Sequence, residues 1–291
     1  EVYDPPGHAW NIGTLLASSR AGMAYNEAHF SPFQFRQYRI LEYPRYRSFA
    51  QSFPNTVPFS EALGFIQRRR KDDDVDFAYF ITTHELGHQW WGHQLIGGNV
   101  EGSNMMSETL AEYSALMALK HQYGPDYMRK VLRTELDGYL RGRTRELRRE
   151  RPLVLVQSEP YVWYNKGGLL MYTLADYMGE DKVNAALRDL LLRRRYANAD
   201  PADGRDGSYP DTREFVAALR AQAPADLQSF IKDSFERIVL YDNRARSATA
   251  RKLADGRYQV TLQVQAGKAQ ADGDGNETPA PMDDLVEVCL L

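Results

Sequence analysis

Residues 76–94 read DFAYFITTHELGHQWWGHQ, and the five residues His84-Glu85-Leu86-Gly87-His88 inside that stretch decide how the chain is to be understood. Phe77, Phe80, Ile81, Leu86, Trp90 and Trp91 recur at helical spacing, so the segment is expected to be a buried amphipathic helix. Thr82 or Thr83 offers a polar residue near its start. Side chains four apart leave one face of a helix, and His84 and His88 can therefore grip one metal ion. Glu85 sits one residue round, within reach of a water's proton. This is the H-E-x-x-H pattern of zinc hydrolases. The bland alternative is a pair of hydrogen-bonded core histidines, which leaves a desolvated Glu85 unexplained.

Zinc needs a third protein ligand and keeps a fourth position for water. Residues 103–120, SNMMSETLAEYSALMALK, form a second expected amphipathic helix, with Glu108 and Glu112 on one face. Glu108 is read as the ligand and Glu112 as the carboxylate that orients a ligand histidine. The exchanged assignment stays open, as does a solvated surface role for either.

HELGHQWWGH followed by SETLAEY resembles the H-E-x-x-H-Q-W and N-E-G-x-A-x-Y segments of the zinc aminopeptidases related to aminopeptidase N, within the gluzincins. Nineteen residues separate His88 from Glu108, one more than that family's usual eighteen; the surplus is expected in the loop 95–104. Tyr161-Val162-Trp163-Tyr164-Asn165-Lys166-Gly167-Gly168 resembles the family's Y-x-K-G segment. The resemblance implies that the Tyr164 hydroxyl donates to the oxyanion of the tetrahedral intermediate, with Tyr161 as the other candidate and simple packing as the alternative. A phenol suits that task because it donates without carrying charge.

The family also has a G-A-M-E-N segment whose Glu holds the substrate's free amine. This chain carries Phe59-Ser60-Glu61-Ala62-Leu63-Gly64-Phe65-Ile66 instead, which places Glu61 in the anchoring position, 23 residues before His84. A surface charge at a strand edge is the other reading of Glu61. Because the surrounding string differs, an endopeptidase with the same metal site stands beside the aminopeptidase expectation. A non-catalytic peptide-binding module of a transport assembly is the third alternative.

The likeness covers roughly residues 22–241. It implies an α+β fold: a thermolysin-like, mainly α catalytic domain with a small sheet over residues 1–240, then a C-terminal β-unit, a truncated β-sandwich, over 241–291. It implies one Zn²⁺ held by His84, His88 and Glu108, with Glu85 as general base and a peptide as substrate. The segments 90–117 and 253–278 and the Y-N-K-G run further resemble a bacterial branch of such domains attached to permease-like membrane segments. A soluble domain of a membrane-anchored bacterial protein is the expectation that follows, with the periplasm as one compartment it suggests.

The composition fits an ordinary globular balance, 43% hydrophobic and 26% charged. A net charge of −3 argues against a nucleic-acid partner. The Arg-rich run 141–151 is read as a solvated helix face or linker. The single cysteine, Cys289, has no internal partner. No apolar run approaches the roughly eighteen residues that span a bilayer. The chain opens on Glu1 with no visible leader, so a fragment of a longer protein is expected.

Along the chain, helices are expected over 20–30, 126–140, 166–177, 181–196, 212–222 and 224–239, with 71–74 leading into the first metal helix and a polar loop over 198–209. Strands are expected over 37–43, 257–265 and 285–291. Residues 272–277, DGDGNE, lack the glycine and glutamate of a calcium loop and read as a polar hairpin connection.

Overall fold

The computed structural model describes residues 1–69, 74–196, 209–286 and 288. Helix outweighs strand, 48% against 17%, and the two are largely segregated along the chain.

The N-terminal region builds a small parallel sheet from β1 (Val2–Tyr3), β2 (Arg39–Tyr43) and β3 (Thr56–Ser60), in the order β1-β2-β3. Its inner face buries Ile40, Val57 and Phe59. Helix α1 (Ile12–His29) begins eight residues before the expected start. Its first turns hold Ser18 and Ser19, which look like loop residues. Their hydroxyls instead bond back to the carbonyls of Thr14 and Leu15, each at 2.7 Å, so the helix absorbs them. Asn11 anchors the entry by donating to Gly64 O at 2.6 Å and Gln67 O at 2.7 Å.

Helix α2 (Phe77–Gly87) is capped by Asp76, whose carboxylate accepts from Tyr79 N. Thr82 and Thr83, expected near the start, lie in its middle and bond back to carbonyls one turn earlier. Helix α3 (Leu110–Tyr123) is preceded by a π-turn over Met105–Thr109. Gly124 turns the chain into α4 (Pro125–Arg143). A second π-turn, Val162–Lys166, opens α5 (Gly167–Met178), followed by α6 (Glu180–Arg194), α7 (Thr212–Gln222) and α8 (Gln228–Phe235). Among the described residues, no helix is long and apolar enough to cross a membrane.

The helix expected over 224–239 stops at Phe235, because the apolar run Ile238–Tyr241 is taken up as strand β4. Next come β5 (Arg244–Lys252), β6 (Tyr258–Gln265), β7 (Lys268–Ala271) and β8 (Glu277–Ala280). β4, β7 and β8 form one antiparallel sheet, and β5 and β6 a separate hairpin. Strand β5 escapes a hydrophobicity reading since every residue in it is exposed. Between β7 and β8, Asp272 accepts from the backbone N–H groups of Asp274 and Asn276, a polar hairpin connection. Of the strand expected over 285–291, residues 285, 286 and 288 adopt no strand, and the rest, with Cys289, lie outside the described residues. The segments 71–73 and 198–208 also lie outside them.

Candidate metal centre and cleft

Helices α2 and α3 pack tightly because Gly87, inside the H-E-x-x-H string, has no side chain. A Cβ there would lie 3.1 Å from the Ala111 Cα and 3.3 Å from its carbonyl oxygen, closer than ordinary van der Waals contact. That contact brings the first histidine of α2 opposite two carboxylates. The ligand atoms of His84, His88 and Glu108 all fall within 4.8 Å of one another. Glu108 Oε2 lies 3.4 Å from His84 Nε2 and 3.3 Å from His88 Nε2.

The far nitrogens of both rings are engaged. His84 Nδ1 is 2.9 Å from Glu112 Oε2, and His88 Nδ1 is 3.0 Å from the Trp91 carbonyl. A carboxylate and a carbonyl only accept, so each Nδ1 carries the proton and each Nε2 turns a lone pair inward. Glu108 Oε2 is buried and accepts no hydrogen bond. Two imidazole lone pairs and one orphaned carboxylate oxygen facing a common point are a donor set suited to zinc.

The electrostatics agree. Burial works against a charged His84, yet the carboxylates of Glu108 and Glu112 carry its pKa well above the ordinary value. Burial would raise the Glu108 carboxyl, but His84 and His88 hold it well below the usual range. Both shifts mean that the cluster favours positive charge at its centre, which a divalent cation supplies while displacing protons.

Glu85 is buried beside this group. Desolvation raises its carboxyl above the usual range, with His84 and His88 opposing. Gln89 secures the neighbouring loop: its Nε2 donates to Ser52 Oγ and Phe53 O, and its Oε1 accepts from Asn55 N. Tyr164 sits on the second π-turn, its ring centroid 5.6 Å from that of His84. Burial and then the Glu108 charge raise its phenol above the ordinary tyrosine value, so it stays a protonated donor. Both Glu108 and Tyr164 thus stand on π-turns, which recur at functional sites. A π-turn also takes up one residue more than an α-turn, so the surplus expected in the loop 95–104 has a second place to sit.

A cleft of about 610 Å³ opens onto the group, with Phe49, Phe80, Ile81, Glu135 and Tyr161 among its walls. The structure therefore brings together His84, Glu85, His88, Glu108, Glu112 and Tyr164. Glu61 has contacts of its own at the turn after β3. Its Oε1 accepts from Arg45 N at 3.0 Å, and its Oε2 lies 3.8 Å from His8 Nδ1. The turn after β3 points it at the 43–45 segment, to whose Tyr43 carbonyl its own backbone N–H donates.

The family model described as "Peptidase family M1 domain" matches residues 15–219. The chain belongs to peptidase family M1. "Putative aminopeptidase-2" of Caenorhabditis elegans is 27% identical over 133 residues, 45% of this chain and 7% of that protein. The M1 zinc metallopeptidase of Deinococcus radiodurans superposes with a TM-score of 0.54 at 18% identity, over 79% of this chain and 45% of that one. Legionella pneumophila aminopeptidase A, in complex with aspartic acid, gives 0.58 at 18% identity, over 91% and 29%. This M1 chain spans less than half the length of each. The family is one of metallopeptidases, and membership in it implies zinc.

Sequence reading passed over Glu135 and Asn165 in the cleft. The signal for Glu135 was present: it stands on the buried stripe Met128, Val131, Glu135, Tyr139 of α4, where a carboxylate has no packing reason to be.

Proposed function

We propose that this M1 chain is a zinc-dependent aminopeptidase that removes N-terminal residues from peptides. The observation that carries the reading is the convergence of His84 Nε2, His88 Nε2 and Glu108 Oε2, with His84, Glu85 and Tyr164 lining one cleft. His84, His88 and Glu108 would hold one zinc ion. When bound, zinc supplies a Lewis acid that makes water acidic near neutrality and polarises the scissile carbonyl.

The chain's own groups do the rest. Glu85 takes the proton of the attacking water and returns it to the leaving amine, and its burial-raised carboxyl suits both halves of that transfer. Tyr164 donates its hydroxyl to the developing oxyanion. Glu112 holds His84 in the tautomer that presents Nε2. The proposal takes residues 1–240 as the catalytic unit and 241–291 as a following β-unit, and it places the domain in a membrane-anchored bacterial parent on the strength of the sequence resemblance.

Hydrolysis of an aminoacyl-fluorophore panel, with and without a chelator, tests the reading. Chelator-sensitive release from free-amine substrates, with N-acetylated ones resistant, is the expected result. One observation favours a second reading, an endopeptidase: Glu61, the expected amine anchor, already has Arg45 and His8 as partners. Equal cleavage of N-acetylated peptides would select it.

A further inference from the structure

Glu135 is 5% exposed, yet it borders the cleft that also presents His84, Glu85 and Tyr164. A buried carboxylate calls for a counter-charge or a full set of donors. Among the described residues it forms no ion pair, and the one hydrogen bond it accepts comes from Asn165 Nδ2, at 2.7 Å. That approach is built into the helix. A Cβ at residue 138 would lie 2.7 Å from the same Nδ2, so Gly138, one turn along α4, admits Asn165. Arg141 also borders the cleft, but it is exposed and reaches Asp137, at 3.7 Å.

Burial first, and the charge of Glu112 second, push the Glu135 carboxyl up to about 8, with the Asn165 hydrogen bond and the more distant His84 charge opposing. Glu135 thus stands among the apolar walls of Phe49, Phe80 and Ile81 with no ion-pair partner in contact with it among the described residues. A substrate ammonium would complete the set.

Building on the aminopeptidase reading, we propose that Glu135 is a substrate-binding residue that receives an alkylammonium group of the peptide. Two sources share that chemistry: the α-amine, and the side chain of a basic first residue.

The test is steady-state kinetics of the wild type and Glu135→Gln on alanyl, leucyl, lysyl and arginyl fluorophores. Gln keeps the volume and can still accept from Asn165. KM should rise about tenfold or more with kcat little changed, as expected for a lost charge-assisted hydrogen bond. A rise on all four substrates assigns the α-amine; a rise on the lysyl and arginyl substrates alone assigns the side chain. Unchanged KM on all four overturns the proposal. So does a fall in kcat alone, or a lowered melting temperature, since either marks a packing residue. Should Glu135→Gln fail to fold, Glu135→Met fills the same space and is read in the same way. Failure of the aminopeptidase reading shows separately, in the wild type: no turnover of the panel, or equal cleavage of N-acetylated peptides, sinks both.

Discussion

Glu112 Oε2 meets His84 Nδ1 at 2.9 Å, on the opposite edge of the ring from the Nε2 that faces Glu108. One helix, α3, thus follows directly on the π-turn carrying the carboxylate at the centre and supplies the carboxylate that orients its histidine partner. Glu112→Ala should cost about 10–100-fold in metal affinity. Competition titration against a chromophoric chelator measures this, and unchanged affinity would deny Glu112 the orienting role.

Glu85→Gln should retain the metal complement of the wild type while peptide hydrolysis falls by about a hundredfold or more, the upper part of the range for a lost general base. Metal analysis and turnover on one preparation are needed together. A metal-loaded variant with normal turnover removes Glu85 from the mechanism.

Tyr164→Phe should lower kcat by about a hundredfold or more and leave KM nearly unchanged, as expected for a donor that acts mainly on the developing oxyanion. A rise in KM at constant kcat would instead make Tyr164 a ground-state contact.

The metal group was legible in the sequence because its logic is local. Four-residue spacing on a helix places His84 and His88 together whatever surrounds them, and the resemblance pointed to Glu108 and Glu112, which the packing of α3 on α2 brings to the histidines. What escaped depends on contacts distant in sequence. Glu61 has a plausible offset from His84, but its direction is set by the turn after β3 and by Arg45 and His8. Glu135 meets Asn165 only once α4 lies against the second π-turn. The start of α1 was hidden because Ser18 and Ser19 satisfy their hydroxyls within the helix, which composition does not reveal. The π-turns leave no mark in hydrophobic periodicity.

Gly87→Val should destabilise the chain by about 1–3 kcal/mol, because the added branched side chain meets the Ala111 backbone. Urea unfolding at equal metal loading reads this. No shift in midpoint would mean that α2 and α3 are not in close contact at this point.

Stability should also depend on Glu135. Its folded-state pKa, about 8, lies above the ordinary 4.5, so the folded chain holds a proton that the unfolded chain releases. The stabilisation from this protonated form is fully present below about pH 4.5 and is lost as pH rises through about 8. The melting temperature of Glu135→Gln should therefore gain on the wild type across that window. Parallel profiles would place the Glu135 carboxyl near its ordinary value.

The central claim is that His84, His88 and Glu108 hold one zinc ion per chain. Zinc-to-protein stoichiometry after reconstitution and desalting, for the wild type and Glu108→Ala side by side, tests it most directly. The account predicts one equivalent retained by the wild type and little by the variant. A wild type that cannot be loaded, or a variant that holds zinc equally well, would contradict it.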